Sequence, residues 1–194
     1  MLKVDNIRSS YKQNNYGYLF YSLIRIYKPV KCVELGGLEG YSALYIAKGL
    51  KDNGQGKLDI IDLFEDYPYN KSSLENTRKN FIDNNLRDIA VFKKGDVFEK
   101  INDYREKEID FLHIDLSNDG GLLEKVFKKI YNKLSEKCLI IFEGGSEERD
   151  NIEWMKKYKK KPIRNFLRSK YFQDKFDYFV FAPFPALTIC SKKE

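Results

Sequence analysis

With 194 residues, 42% of them hydrophobic and 15% aromatic, the chain is long enough to bury one sizeable core. Lys and Arg exceed Asp and Glu by 35 − 29 = 6, but the lysines are scattered and no recognition module of aromatic and basic residues accompanies them, so no nucleic-acid partner is expected. No apolar run approaches the roughly 18 to 20 residues that span a bilayer, and the opening MLKVDNIRSSYKQ has no apolar signal-peptide centre, so the expectation is a soluble, cytoplasmic protein with no membrane partner.

A tyrosine-rich amphipathic helix is predicted around Tyr16 to Tyr27, stopped by Pro29, ahead of the strand KCVEL. YSALYIAKGL has apolar residues at helical spacing and ends near Gly54 and Gly56. LDIID reads as a strand closing on Asp62, and SSLENTRKNFIDNN as a polar helix with Leu74, Phe81 and Ile82 inward. IAVFKKGD is a third strand leading to Gly95 and Asp96, IDFLHID a fourth, LLEKVFKKIYNKL a helix and CLIIFEGG a fifth strand. The run Lys156 to Lys161 is either a solvated helix face or a phosphate contact, the former being commoner. Cys32, Cys138 and Cys190 are widely spaced in apolar surroundings and read as reduced core residues. Near the C-terminus FDYFVF and ALTIC are joined only by APFP, too short for a crossover helix. Phe176 to Phe181 and Ala186 to Cys190 are therefore expected to form an antiparallel hairpin, with Pro183 and Pro185 in the connection.

Strands alternating with helices imply a parallel, doubly wound sheet, in which ligands bind beyond the carboxyl ends of the strands. Four strands end there in an acid, Glu34, Asp62, Asp115 and Glu143. Each acid alone is as well explained by a helix cap or a loop as by a ligand. The most specific stretch is Val33 to Ser42, VELGGLEGYS, with Gly36, Gly37 and Gly40 within five residues. A P-loop is excluded, because Tyr41 and Ser42 follow Gly40 where a phosphate-binding lysine is required. In the dinucleotide pattern GxGxxG, Gly37 and Gly40 fit the last two places, but Leu35 stands where the glycine of the tight turn over the pyrophosphate belongs.

VELGGLEGYS resembles motif I of the class I S-adenosylmethionine-dependent methyltransferases, especially the small catechol-type O-methyltransferases and related bacterial enzymes. The similarity runs in order through LDIID, KKGDVFEKI, IDFLHID, CLIIFEGG and FDYFVFAPFPALTIC. It implies an α/β, Rossmann-like fold with a seven-stranded doubly wound sheet and a C-terminal antiparallel hairpin. It also implies one domain over 1–194, with 1–29 a helical cover and 30–194 the core. Under this resemblance Glu34 lies near the methionine end of S-adenosylmethionine, and Gly36, Gly37 and Gly40 belong to the turn that the cofactor approaches. Asp62 takes the ribose hydroxyls, and Gly95, Asp96 and Val97 form the loop beside the adenine, Asp96 having helix capping as its alternative. Tyr41 and Ser42 are candidates for the cofactor's amino-acid moiety, or for capping and packing.

The implied activity is methyl transfer to a small-molecule acceptor, most simply at oxygen. An N-methyltransferase, a sugar-modifying methyltransferase of a biosynthetic cluster and a noncatalytic cofactor-binding scaffold are the alternatives. In the catechol-type enzymes magnesium is held by an acid after the fourth strand and an Asp-Asn pair after the fifth; Asp115 and Glu143 match two of these places. Magnesium is thus a candidate cofactor. Gly144 stands in the asparagine's place, and the family's lysine base, expected near Asn118, is missing. Asp115 is the leading catalytic candidate, as base, metal ligand or orienting group. His113, the only histidine, is the second candidate base. The covers near the N-terminus and around Trp154 and Tyr158 are expected to set specificity, and a homodimer is left open beside a monomer.

Overall fold

The computed structural model describes residues 2–68 and 72–193. Seven strands form one sheet in the order β3-β2-β1-β4-β5-β7-β6. They are β1 (Lys31–Leu35), β2 (Lys57–Asp62), β3 (Ala90–Lys94), β4 (Ile109–Ile114), β5 (Leu134–Glu143), β6 (Phe176–Phe181) and β7 (Leu187–Lys192). The helices are α1 (Tyr16–Tyr27), α2 (Tyr41–Asn53), α3 (Leu74–Asp83), α4 (Val97–Lys100), α5 (Gly120–Ile130), α6 (Glu147–Asp150), α7 (Glu153–Lys157), α8 (Ile163–Leu167) and α9 (Lys170–Lys175). The backbone clusters into two compact units, Met1–Asp103 and Tyr104–Glu194.

In the first unit β1, β2 and β3 run parallel, so their carboxyl ends share one edge. Asp59, in the middle of β2, is buried between Lys31 Nζ of β1 at 2.8 Å and Lys93 Nζ of β3 at 3.0 Å. A buried carboxylate with a cation from each flanking strand resists a register slip, since a one-residue shift would strand the charge. Helix α1 buries Tyr16, Phe20 and Ile24, spaced four apart on one face, and stops at Lys28 in the left-handed region, just before Pro29. It lies on α2 through two glycines. A Cβ on Gly17 would strike the Tyr45 ring, and one on Gly49 would come within 2.7 Å of Ile24 Cγ2. Ser73 caps α3 by accepting from Asn76 N–H. Thr77 and Phe81, one turn apart, form the buried face of α3, and Ile82 is 57% exposed rather than inward as expected, being rotated about 100° from Phe81.

In the second unit β4 and β5 are parallel, while β7 is antiparallel to both β5 and β6. The hairpin pairs Phe176 with Lys192 through to Phe181 with Leu187, so β7 begins one residue later than Ala186 and runs to Lys192. Pro183 and Pro185 sit in the connection, where a missing backbone donor costs no ladder bond. Helix α5 begins earlier than expected, because Asp119 accepts from the Gly121 and Leu122 amides as its cap. The expected single helix through Leu134 ends at Ile130, and β5 starts at Leu134, four residues before Cys138. Phe127 is the hub of the packing, with ring centroids 5.1 to 5.6 Å from Phe142, Phe166, Phe172 and Phe176. These rings anchor α5, α8 and α9 to the sheet by area and by edge-on geometry.

Phe127→Ala is expected to lower unfolding stability by about 3–5 kcal/mol, the range for emptying an aromatic site, with the denaturant midpoint as the measurement. Cys138 and Cys190 are buried thiols whose pKa burial pushes far up, so neither offers a thiolate near neutral pH. An aromatic disulfide reagent should leave both unlabelled in the folded chain and label them once denaturant exposes them; rapid native labelling would show that this part of the sheet opens.

Candidate active site

The turn after β1 is built around one carboxyl group. Asp62, the last residue of β2, accepts from Gly37 N–H at 2.6 Å and Leu38 N–H at 3.1 Å on Oδ2, and from Phe64 N–H at 2.5 Å on Oδ1. Its own carbonyl accepts from Gly95 N–H at 3.0 Å, which draws the end of β3 to the same place. Gly36 N–H donates to Ile61 O at 2.9 Å, and Gly40 N–H to Gly37 O at 2.7 Å. The amides of Gly36, Gly37, Leu38 and Gly40 are therefore spent within the protein, two of them on a carboxylate.

Glycine is required in this turn for separate reasons. Gly36 and Gly40 have φ of 88° and 89°, angles that a side chain strains. A Cβ on Gly37 would lie 2.6 Å from Ile60 Cγ2 of β2. A Cβ on Gly40 would point at Phe81 and Thr77 of α3, 3.1 and 3.3 Å away. The penalty for a branched residue at position 40 thus falls on helix packing.

Glu34 is fully buried near the end of β1, and its Oε1 accepts from the Ser42 hydroxyl in the first turn of α2. This joins two of the candidates on a single contact. Tyr41, by contrast, turns away toward α1, with its hydroxyl hydrogen-bonded to Tyr45 and to the Gly17 backbone. Burial raises the pKa of both phenols. Asp96 is exposed and caps α4 by accepting from Phe98 N–H at 2.7 Å, followed by buried Val97. Sequence reasoning missed Glu39, inside the glycine turn, which accepts from Arg8 N–H at 2.7 Å and from Arg8 Nε at 2.5 Å. Lys3 and Asn84 exchange a reciprocal pair of hydrogen bonds, so residues 3–8 run as a strap from α3 to the turn. The signal for such a strap, an arginine and a glutamate 31 positions apart, has no local pattern.

At the carboxyl ends of β4 and β5 the second unit gathers another cluster. His113 is fully buried within β4, opposite Ile141, and Asp115 is half-buried just past the strand. Glu143, which ends β5, is held by Arg149: Nε at 2.8 Å and Nη2 at 2.7 Å both donate to Oε1. Each of the two side chains is only 11% exposed. Asn118 Nδ2 donates to the same oxygen at 3.3 Å. A Cβ on Gly144 would come within 3.0 Å of Asn118 Oδ1 and 2.8 Å of Ile163 Cδ1. The two departures from the catechol-type pattern are one arrangement, because the amide of Asn118 fills the space that a side chain at 144 would need. Thr188 Oγ1 donates to Gly144 O at 2.8 Å and Gly144 N–H to Ala186 O at 2.8 Å, so β7 pins this loop. Arg149, a basic residue in the acidic run EERD, gave no sign in the sequence of pairing back to β5.

Among the described residues no three His, Cys, Asp or Glu side chains gather as metal ligands would. The fit to a divalent ion at Asp115 and Glu143 is poor for a positive reason: a guanidinium already neutralises Glu143 on the oxygen it would share.

No curated protein matches the chain in sequence. Solved structures resemble it in fold. An O-methyltransferase from Bacillus cereus in complex with S-adenosylhomocysteine superposes with a TM-score of 0.71 at 17% identity, over 98% of this chain and 84% of that one. The O-methyltransferase TomG from Streptomyces achromogenes, involved in tomaymycin synthesis and solved with S-adenosylmethionine, gives 0.70 at 13% identity, over 98% and 83%. The methyltransferase PaMTH1 of Podospora anserina, bound to S-adenosylhomocysteine, gives 0.69 at 17% identity, over 96% and 80%. A family model described as a methyltransferase domain matches residues 33–143, from the glycine turn to the acid that ends β5. That match takes in more than half of the chain, and the chain belongs to the methyltransferase-domain family.

Proposed function

We propose that the chain, as one methyltransferase domain over residues 1–194, transfers a methyl group from S-adenosylmethionine to an oxygen of a small molecule. The observation that carries this reading is the electrostatics of the glycine turn. Two buried acids, Glu34 and Asp62, lie at or next to the ends of adjacent parallel strands, and Asp62 takes the Gly37 and Leu38 amides of the turn. Such a turn suits a cofactor whose nearby groups are an ammonium, a sulfonium and ribose hydroxyls. The family match and the bound ligands of the structural neighbours support the same cofactor.

The residues of the turn fit that cofactor. Asp62 has three backbone partners on its two oxygens, and a carboxylate has about four acceptor sites, so it braces the turn and keeps room for a ribose hydroxyl. Glu34, fixed by Ser42, faces the methionine end, and the Gly95–Val97 segment, tied to Asp62 through Gly95 N–H, flanks the base. When bound, S-adenosylmethionine supplies an activated methyl: the acceptor's lone pair forms the new bond to carbon while the carbon–sulfur bond breaks and its electron pair stays on sulfur. The protein's task is then alignment and removal of the acceptor's proton. We assign that proton to Asp115, half-buried just past β4, rather than to His113, which is fully buried within the strand.

Titration calorimetry should detect binding of S-adenosylhomocysteine and none of NAD; tight NAD binding without S-adenosylhomocysteine binding would overturn the assignment. Asp62→Ala is expected to weaken S-adenosylhomocysteine by about 1–3 kcal/mol, the range for hydrogen bonds to a charged group. It should also lower the denaturant midpoint, since the Gly37, Leu38 and Phe64 amides lose their acceptor.

A further inference from the structure

The cluster at the end of β5 contains two polar atoms that the protein leaves unsatisfied. Asn118 is 7% exposed, and its Oδ1 is buried with no hydrogen-bond partner among the described residues. Arg149 Nη1 is likewise buried without one. Both side chains are fixed by hydrogen bonds to the same atom, Glu143 Oε1, and the guanidinium carbon lies 5.8 Å from the centroid of the Phe184 ring. An unmade hydrogen bond at a buried site is costly, which makes this pair a place where a ligand completes the structure. One atom is a pure acceptor and the other a charged donor. A hydroxyl has the chemistry for both kinds of atom, since it can give its hydrogen to an acceptor such as Oδ1 and receive one from a donor such as Nη1.

We propose that Arg149 takes the place a divalent cation holds in the catechol-type enzymes: with Asn118 it receives the acceptor hydroxyl, and methyl transfer here proceeds without a metal. The inference rests on the methyltransferase reading and deepens it. The guanidinium keeps its protons throughout, so the O–H turns from Oδ1, which is no base, and its proton passes to the Asp115 carboxylate or to water. The resulting oxyanion stays on Nη1 by a charge-assisted hydrogen bond, and its lone pair takes the methyl as the cofactor's carbon–sulfur bond breaks toward sulfur. A hydrogen-bonded guanidinium acidifies an oxygen less than direct coordination to a divalent ion does. The acceptor class is therefore a hydroxyl already acidic by itself, a phenol or an enol, rather than an aliphatic alcohol.

The test uses the full chain and begins with Mn2+, followed by electron paramagnetic resonance, beside S-adenosylhomocysteine calorimetry on the same sample. The wild type should bind S-adenosylhomocysteine and leave the Mn2+ signal at full strength. Stoichiometric Mn2+ uptake that Glu143→Gln abolishes would overturn the inference alone, whereas failure to bind S-adenosylhomocysteine would fail the methyltransferase reading beneath it. Turnover is then measured in excess chelator with a panel of simple phenols, enols and aliphatic alcohols. Arg149→Ala should lose about 10²–10³-fold in kcat, as for removal of one oxyanion donor, and move the basic limb of the pH profile upward. Arg149→Lys, which keeps the charge, should retain the limb. The pair Glu143→Gln with Arg149→Met leaves no lone buried charge, so it separates loss of chemistry from loss of fold. Unchanged kcat and pH profile in that pair, or aliphatic alcohols methylated as well as phenols, would show that Nη1 and Oδ1 serve only a structural water.

Discussion

The hydrogen bonds from the Gly37 and Leu38 amides to Asp62 are the constraint on which the first unit depends. They tie the loop after β1 to the end of β2, and through the Asp62 carbonyl they reach the end of β3. The three strand ends thereby become one surface, shaped before any ligand arrives. Preorganisation of this kind matters for methyl transfer, because the cofactor brings its own reactive carbon and the protein contributes chiefly position. Two amides of the loop, those of Gly37 and Leu38, already face a carboxylate and are not free for an anion, although its glycines resemble those of a dinucleotide turn.

In the second unit the corresponding constraint is the Glu143 oxygen shared by Arg149 and Asn118. Around it the loop after β5 is held from the side of β7 by Thr188 and Ala186, and from α8 by Ile163, whose amide donates to buried Asp150 at 2.8 Å. Asp150 also accepts from Arg164 N–H and Nε, each at 3.1 Å, so an acid of the EERD run anchors α8 while its neighbour Arg149 pairs with the sheet. A buried pair of opposite charges is worth little net stability against apolar packing, but it is costly to break on one side. Its value lies in orientation: it holds a guanidinium edge fixed against the end of β5.

Packing decides what these two clusters can do. The Phe127 hub supports α5, α8 and α9 behind the β4 and β5 ends, and the α1–α2 contact, close because Gly17 and Gly49 lack side chains, stands behind the glycine turn. The strap at residues 3–8 reaches that turn by way of Glu39. Tyr41, a candidate for the cofactor's amino-acid moiety or for packing, lies buried against Tyr45 in this contact.

The sequence by itself determined the order of elements, the parallel strands with their acid ends, the antiparallel hairpin that begins at Phe176 and the family of the turn at Val33 to Ser42. All of these are local: hydrophobic period, turn chemistry and loop length act over a few residues and leave a mark in the order of the letters. Helix boundaries were less legible, as at Ile130 and Leu134, because amphipathic residues there suit either a last helical turn or the first of a strand. Tertiary structure alone decided that Asp62 braces the turn, that Gly40 is small for the sake of Phe81, and that Arg149 meets Glu143 beside Asn118. Those pairings join residues that the chain separates by 6 to 41 positions, and a hydrogen bond between side chains brought together by folding imposes no period on the sequence that encodes it.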